Sequence, residues 1–96
     1  MRIRSFRHKG LKRLYQTGSS RGIRADVLAK VEDIIHAIDQ ARHVEQIGLF
    51  PGWRLHPLKG GRTGEWSIWV TRNYRLTFRV DGDDVEDLNL EDYHRK

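Results

Sequence analysis

The spacing of apolar and polar positions along this 96-residue chain changes character at Pro51-Gly52. Before that point the period is helical. In ADVLAKVEDIIHAIDQA, Val27, Leu28, Val31, Ile34, Ile35 and Ile38 recur three, four and seven positions apart, which predicts an amphipathic helix over 25–41 with one face against a core. GLKRLYQTGSS predicts two further helical turns, with Leu11, Leu14 and Tyr15 on one side and Gly18 as the stop. Ahead of them RIRSF alternates charged and apolar residues, as a short strand does.

After Pro51-Gly52 the period is two. EWSIWV sets Trp66, Ile68 and Val70 on one face, and YRLTFRV does the same with Leu76, Phe78 and Val80, so each predicts a half-buried antiparallel strand. Thr71 to Asn73 is short enough for a hairpin, and Asp81-Gly82 marks the next turn. Val85, Leu88 and Leu90 predict a last strand whose phase slips once, which a bulge near Glu86 or Asp87 would explain. The expected fold is α+β, in the order β-α-α-β-β-β. It is one domain over residues 1–96, an antiparallel β-sheet with two N-terminal helices packed on one face. Ser67, Trp69, Thr71, Arg75, Thr77 and Arg79 fall on the opposite face, cationic and aromatic, where a substrate or partner would lie.

Charge sharpens that expectation. The net charge is +5, and it is unevenly spread. Residues 1–24 carry Arg2, Arg4, Arg7, Lys9, Lys12, Arg13, Arg21 and Arg24 without one acid, while the acids gather in DGDDVEDLNLED. Segregation of this kind points to a polyanionic partner, usually nucleic acid. There is no cysteine, so no disulfide or thiolate metal site. MRIRSFRHKG lacks the apolar run of a secretory signal, and no stretch approaches a membrane span. A cytoplasmic protein is expected.

LHPLKG, NYRLTFR and DYH hold the candidate chemistry. Cleaving RNA requires the 2′-hydroxyl to be aligned and deprotonated, the phosphorane charge to be met, and the leaving 5′-oxygen to be protonated. Histidine suits the proton transfers. Arg and Lys suit the charge, and Tyr can stack on a base or move a proton. Plainer readings stand beside these: His56, before Pro57, could merely end a strand, and Tyr93 could be a buried latch. His36 and His43 are two helical turns apart, roughly 10 Å, too far to share an ion.

FRHKGLKRLY, LHPLKGGRTGEWSIWVTRNYRLTF and EDYH together resemble the HigB toxins of the RelE/ParE superfamily, over nearly the whole chain. The resemblance implies a RelE-like fold and a ribosome-dependent, metal-independent mRNA endonuclease with no cofactor. It implies a HigA-like helix-turn-helix antitoxin as partner, with the ribosome and mRNA as targets and no membrane. Motif for motif, it implies catalytic roles for His56, Lys59, Arg75, Asp92, Tyr93 and His94. Tyr74 stands where the family often has Trp. Which histidine is base and which acid stays open. Arg7, Lys9, Lys12, Arg13, Arg62, Arg72 and Arg79 are expected to engage RNA on the ribosome. The alternative is a non-enzymatic ParE-type toxin on the same fold that poisons gyrase by binding, which would need no convergent acid–base set.

Overall fold

The computed structural model describes residues 1–93; His94, named above, lies outside the described residues. Helix α1 runs Lys9–Thr17, α2 Ala25–Gln40 and a one-turn α3 Val44–Ile47. Strands β1 (Arg2–Ile3), β2 (His56–Pro57), β3 (Glu65–Trp69), β4 (Tyr74–Asp81) and β5 (Asp84–Asp92) form one sheet in the order β1-β5-β4-β3-β2.

The helical stripe read from the sequence is the buried face of α2: Val27, Val31, Ile34, Ile35 and Ile38 are all removed from water. They meet Ile68, Leu76, Phe78, Val85 and Leu88 from the sheet. Each such side chain stabilises the fold by about 1.5–3 kcal/mol relative to exposure. Helix α1 is held at both ends. The His8 Nδ1 accepts the Leu11 N–H at 3.1 Å, and Gly18, in the left-handed conformation at φ 78°, returns its N–H to the Leu14 carbonyl. Leu11 and Leu14 are buried as expected, whereas Tyr15 is exposed and donates its hydroxyl to Asp39 at 2.8 Å.

The hairpin β3–β4 turns at Thr71–Asn73, and β4–β5 turns at Gly82-Asp83. The expected phase slip is present. Thr77 pairs with Asn89 but Arg79 with Glu86, so β5 carries one extra residue. Asp87 sits there at φ 55° and donates its N–H to the Ser5 hydroxyl at 2.9 Å.

Three features differ from the sequence reading. The sheet is mixed, because β1 runs parallel to β5. That direction sets Arg2 and Arg4 beside Asp84, at 3.1 and 3.0 Å, with Asp81 and Glu86 also in contact with Arg4. The basic N-terminal segment and the acidic C-terminal one therefore meet and partly neutralise each other. Second, the LFPGW region is preceded by α3, and His56-Pro57 adds a short edge strand. Third, the face away from the helices is not simply cationic. Glu65, Ser67 and Thr77 are buried in it, because Arg62 from the loop above reaches both Glu65 and Glu91.

Candidate functional site on the outer face of the sheet

Cross-strand register decides which side chains share a surface. His56 stands opposite Ser67, which stands opposite Thr77; one step along, Trp69 stands opposite Arg75, which stands opposite Glu91. Ile68, Leu76 and Leu90 point to the helices, so by alternation all of these polar positions face outward. His56 and Arg75 are two strands and two residues apart. At usual sheet spacings that is about 12 Å between Cα atoms, close enough for an imidazole and a guanidinium to face one phosphodiester from two sides.

Arg75 lies at the middle. Its Nη1 is anchored by three carbonyls, those of Thr71 at 2.6 Å and of Arg72 and Tyr74 at 3.1 Å. The Trp69 ring lies 4.5 Å and the Tyr93 ring 4.9 Å from its guanidinium carbon. With one nitrogen fixed and two rings beside it, the planar cation is preorganised to offer its remaining N–H groups to a phosphate. Burial pulls its pKa below the ordinary arginine value, with Arg54 adding to that effect and Tyr93 opposing it. Tyr93 is placed by its own backbone, whose N–H reaches the Asn73 carbonyl at 2.5 Å.

The exposed His56 has its Nδ1 2.8 Å from the Arg54 carbonyl oxygen. A carbonyl only accepts, so Nδ1 carries the proton. In the neutral ring Nε2 is then the free lone pair. Lys59 is exposed and precedes a 3-10 turn over Gly60–Arg62. That loop is closed by the Leu58 N–H to Glu65 carbonyl bond at 2.8 Å and tied down by Arg62.

Arg75 and Tyr93 are thus in contact, with His56 on the same face and Lys59 on the loop beside it. Asp92 is elsewhere. It pairs with Tyr74, so alternation places it on the other side of β5 from Glu91 and Tyr93, in a depression that Arg24, Asp26, Arg72 and Tyr74 also line. Among the expected RNA contacts, Lys9, Lys12, Arg13 and Arg72 are exposed. Arg7 pairs with Asp87 at 3.6 Å and Arg79 with Glu65 at 3.7 Å, while Arg62 spends its guanidinium on two carboxylates. Sequence reasoning missed Glu91, which accepts from Thr77 at 2.6 Å as well as from Arg62. Its parity relative to Leu88 and Leu90 was the available signal. It also missed Arg54, for which no spacing gave a signal. Among the described residues, no group of three or more His, Cys, Asp or Glu side chains could hold a metal, and no helix is long and apolar enough to cross a membrane.

Known proteins resemble this chain in sequence and in fold. A 44% identical relative, the endoribonuclease HigB of Proteus vulgaris, aligns over 92 residues, covering 96% of this chain and 99% of its own. Solved structures share the fold at lower identity. One is a YoeB/ParE toxin from Agrobacterium tumefaciens (TM-score 0.62, 19% identical, covering 98% of this chain and 100% of that one). Another is a YafQ mutant from E. coli (TM-score 0.63, 14% identical, covering 96% and 93%). A third is the YoeB–YefM complex from Staphylococcus aureus (TM-score 0.56, 18% identical, covering 99% and 100%). The model of RelE-like toxins of type II toxin–antitoxin systems named for HigB matches residues 4–94. With that match spanning almost the whole chain, the protein belongs to the HigB family of RelE-like toxins.

Proposed function

We propose that this toxin cuts mRNA in the decoding site of the ribosome, using His56, Lys59, Arg75, Tyr93 and His94 around one scissile phosphate, with Asp92 acting indirectly from the other side of β5. The protein is an endoribonuclease of a type II toxin–antitoxin module, so an antitoxin is its partner; we assign that antitoxin to the HigA-like helix-turn-helix class and the toxin to the bacterial cytoplasm. The observation that carries the reading is Arg75 held between two rings and three carbonyls on a face shared with His56. Binding alone, as in gyrase poisoning, needs no such preorganised cation beside an imidazole.

In this mechanism neutral His56 takes the 2′-hydroxyl proton at Nε2, the nitrogen left unprotonated by the Arg54 carbonyl contact. The 2′-oxygen attacks the adjacent phosphorus. Arg75 and Lys59 meet the developing phosphorane charge. Tyr93 stacks a base or aligns the attacking hydroxyl. His94 returns a proton to the leaving 5′-oxygen. Asp92, on the Tyr74 side of β5, is turned from His56, and we assign it to tuning the other imidazole, that of His94.

The test is cleavage of a labelled mRNA with and without programmed ribosomes by the wild type, His94→Ala and Arg75→Lys. Cutting confined to the ribosome is expected, slowed about 10²–10⁴-fold by His94→Ala. Arg75→Lys should be slow as well, since an ammonium cannot reproduce a flat, bidentate donor. Wild-type rates in both variants would refute the site. Cutting of free RNA would refute ribosome dependence.

A further inference from the structure

Arg54 is one of two described non-glycine residues in the left-handed conformation, at φ 52°. The other, Asp87, is explained by the bulge. An L-residue stays in that region only where its surroundings over-determine it. At Arg54 the chain passes from buried Trp53, whose carbonyl accepts the Trp69 N–H at 2.7 Å, to His56 on the edge strand. The conformation leaves the Arg54 guanidinium carbon 4.1 Å from the Trp69 ring centroid, beside the same ring that Arg75 approaches. Two cations share one indole. Among the described residues no ion pair involves either of them, although carboxylates are plentiful elsewhere on the sheet. Two guanidiniums kept against one ring and out of ion pairs can receive successive anionic groups.

We propose that Arg54 and Trp69 form a second phosphate subsite, which holds the RNA phosphodiester next to the one at Arg75. Trp69 gives both guanidiniums one ring to lie against, and the strand is held at two points. The subsite rests on the reading of Arg75 as the cation at the scissile phosphate. Its task is positioning: it fixes where along the strand the cut falls without touching the reacting atoms.

Arg54→Gly removes the guanidinium and suits the backbone, so the variant should melt no lower than the wild type; Arg54→Lys keeps the charge without the flat stack. Both are compared with the wild type in single-turnover cleavage of mRNA on programmed ribosomes over a salt series. For Arg54→Gly the half-saturating concentration should rise about tenfold. The salt slope should fall by about 0.7, one single-strand phosphate contact, with the rate at saturation little changed. Arg54→Lys should keep the wild-type slope. An unchanged slope and half-saturation in Arg54→Gly would overturn the subsite, as would a loss confined to the saturated rate. A wild type that cuts nothing would instead overturn the ribonuclease reading beneath it.

Discussion

The guanidinium of Arg62 and the carboxylate of Glu91, 29 residues apart in the chain, face each other in two parallel bonds, Nη1 to Oε1 at 2.9 Å and Nη2 to Oε2. The pair joins the loop after Lys59 to the strand that ends beside Tyr93. Glu65 completes it from β3, at 2.7 Å from Nη2. The arginine is a staple holding one wall of the site against another.

Breaking this staple should cost both stability and cleavage. Glu91→Gln or Arg62→Ala leaves a charged partner half-buried, a loss of about 2 kcal/mol, or about 8–16 °C in Tm for a domain of this size. The double variant should be no less stable than the worse single one, because the interaction is removed only once. Thermal melting of the three proteins checks this; strictly additive losses would show that the pair does not act as a unit.

The same pair fixes a pH response. Arg62 holds the carboxyls of both Glu91 and Glu65 below the usual range, against the opposing effect of burial. Folded values below unfolded ones give stability that is complete above the ordinary glutamate pKa of about 4.3. It is lost as the pH falls through the lower folded values. Melting curves taken downward from pH 7 should therefore drop below about pH 4.3 in the wild type and drop less in Glu91→Gln.

His8 sets a second and milder window. Its Nδ1 must be a bare acceptor to cap α1, and burial lowers its pKa. The unfolded chain takes up the proton first, so this contribution is whole above about pH 6.5 and fades as the pH falls through the lower folded value. His8→Asn, which keeps a capping oxygen, should flatten Tm between pH 7.5 and 5, and His8→Ala should lower Tm by the equivalent of about 1 kcal/mol at pH 7.5 and by less at pH 5. An identical profile in all three proteins would remove His8 from the account.

Salt dependence should separate the cations that are free to bind RNA from those already paired. Neutralising Lys12 and Arg13, exposed on α1, should lower the slope of log affinity for ribosomes against log salt by about 0.7–0.9 per residue. Neutralising Arg4, held among Asp81, Asp84 and Glu86, should change the slope far less. Equal changes for both would mean that the acidic segment releases Arg4 on binding.

What the sequence disclosed follows from which forces are local. The stripe of α2 and the alternation of β3 and β4 are written in residue spacing. So was the slip in β5: Val85 and Leu88 are three apart, and both are buried because the extra residue at Asp87 restores their face. Strand direction is not written there. RIRSF alternates identically in either sense, and only contact with Asp84, about eighty positions on, selects the parallel one. In the candidate site, His56 and Arg75 share a face because they lie on periodic strands, and Tyr93 follows directly from the end of β5. Asp92 departs from them because adjacent strand residues face opposite ways. Arg54 could not be foreseen, since its role arises from a single left-handed turn in a loop.

The parallel seam between β1 and β5 also bears on timing. A nascent chain threads out of the ribosome from its N-terminus, and β1 can pair with nothing until β5 has emerged. Glu91, Asp92 and Tyr93 emerge at that same moment. The parallel seam and the Tyr93 ring beside Arg75 are therefore completed together by the closing of one strand, and a chain that stops short of β5 lacks both.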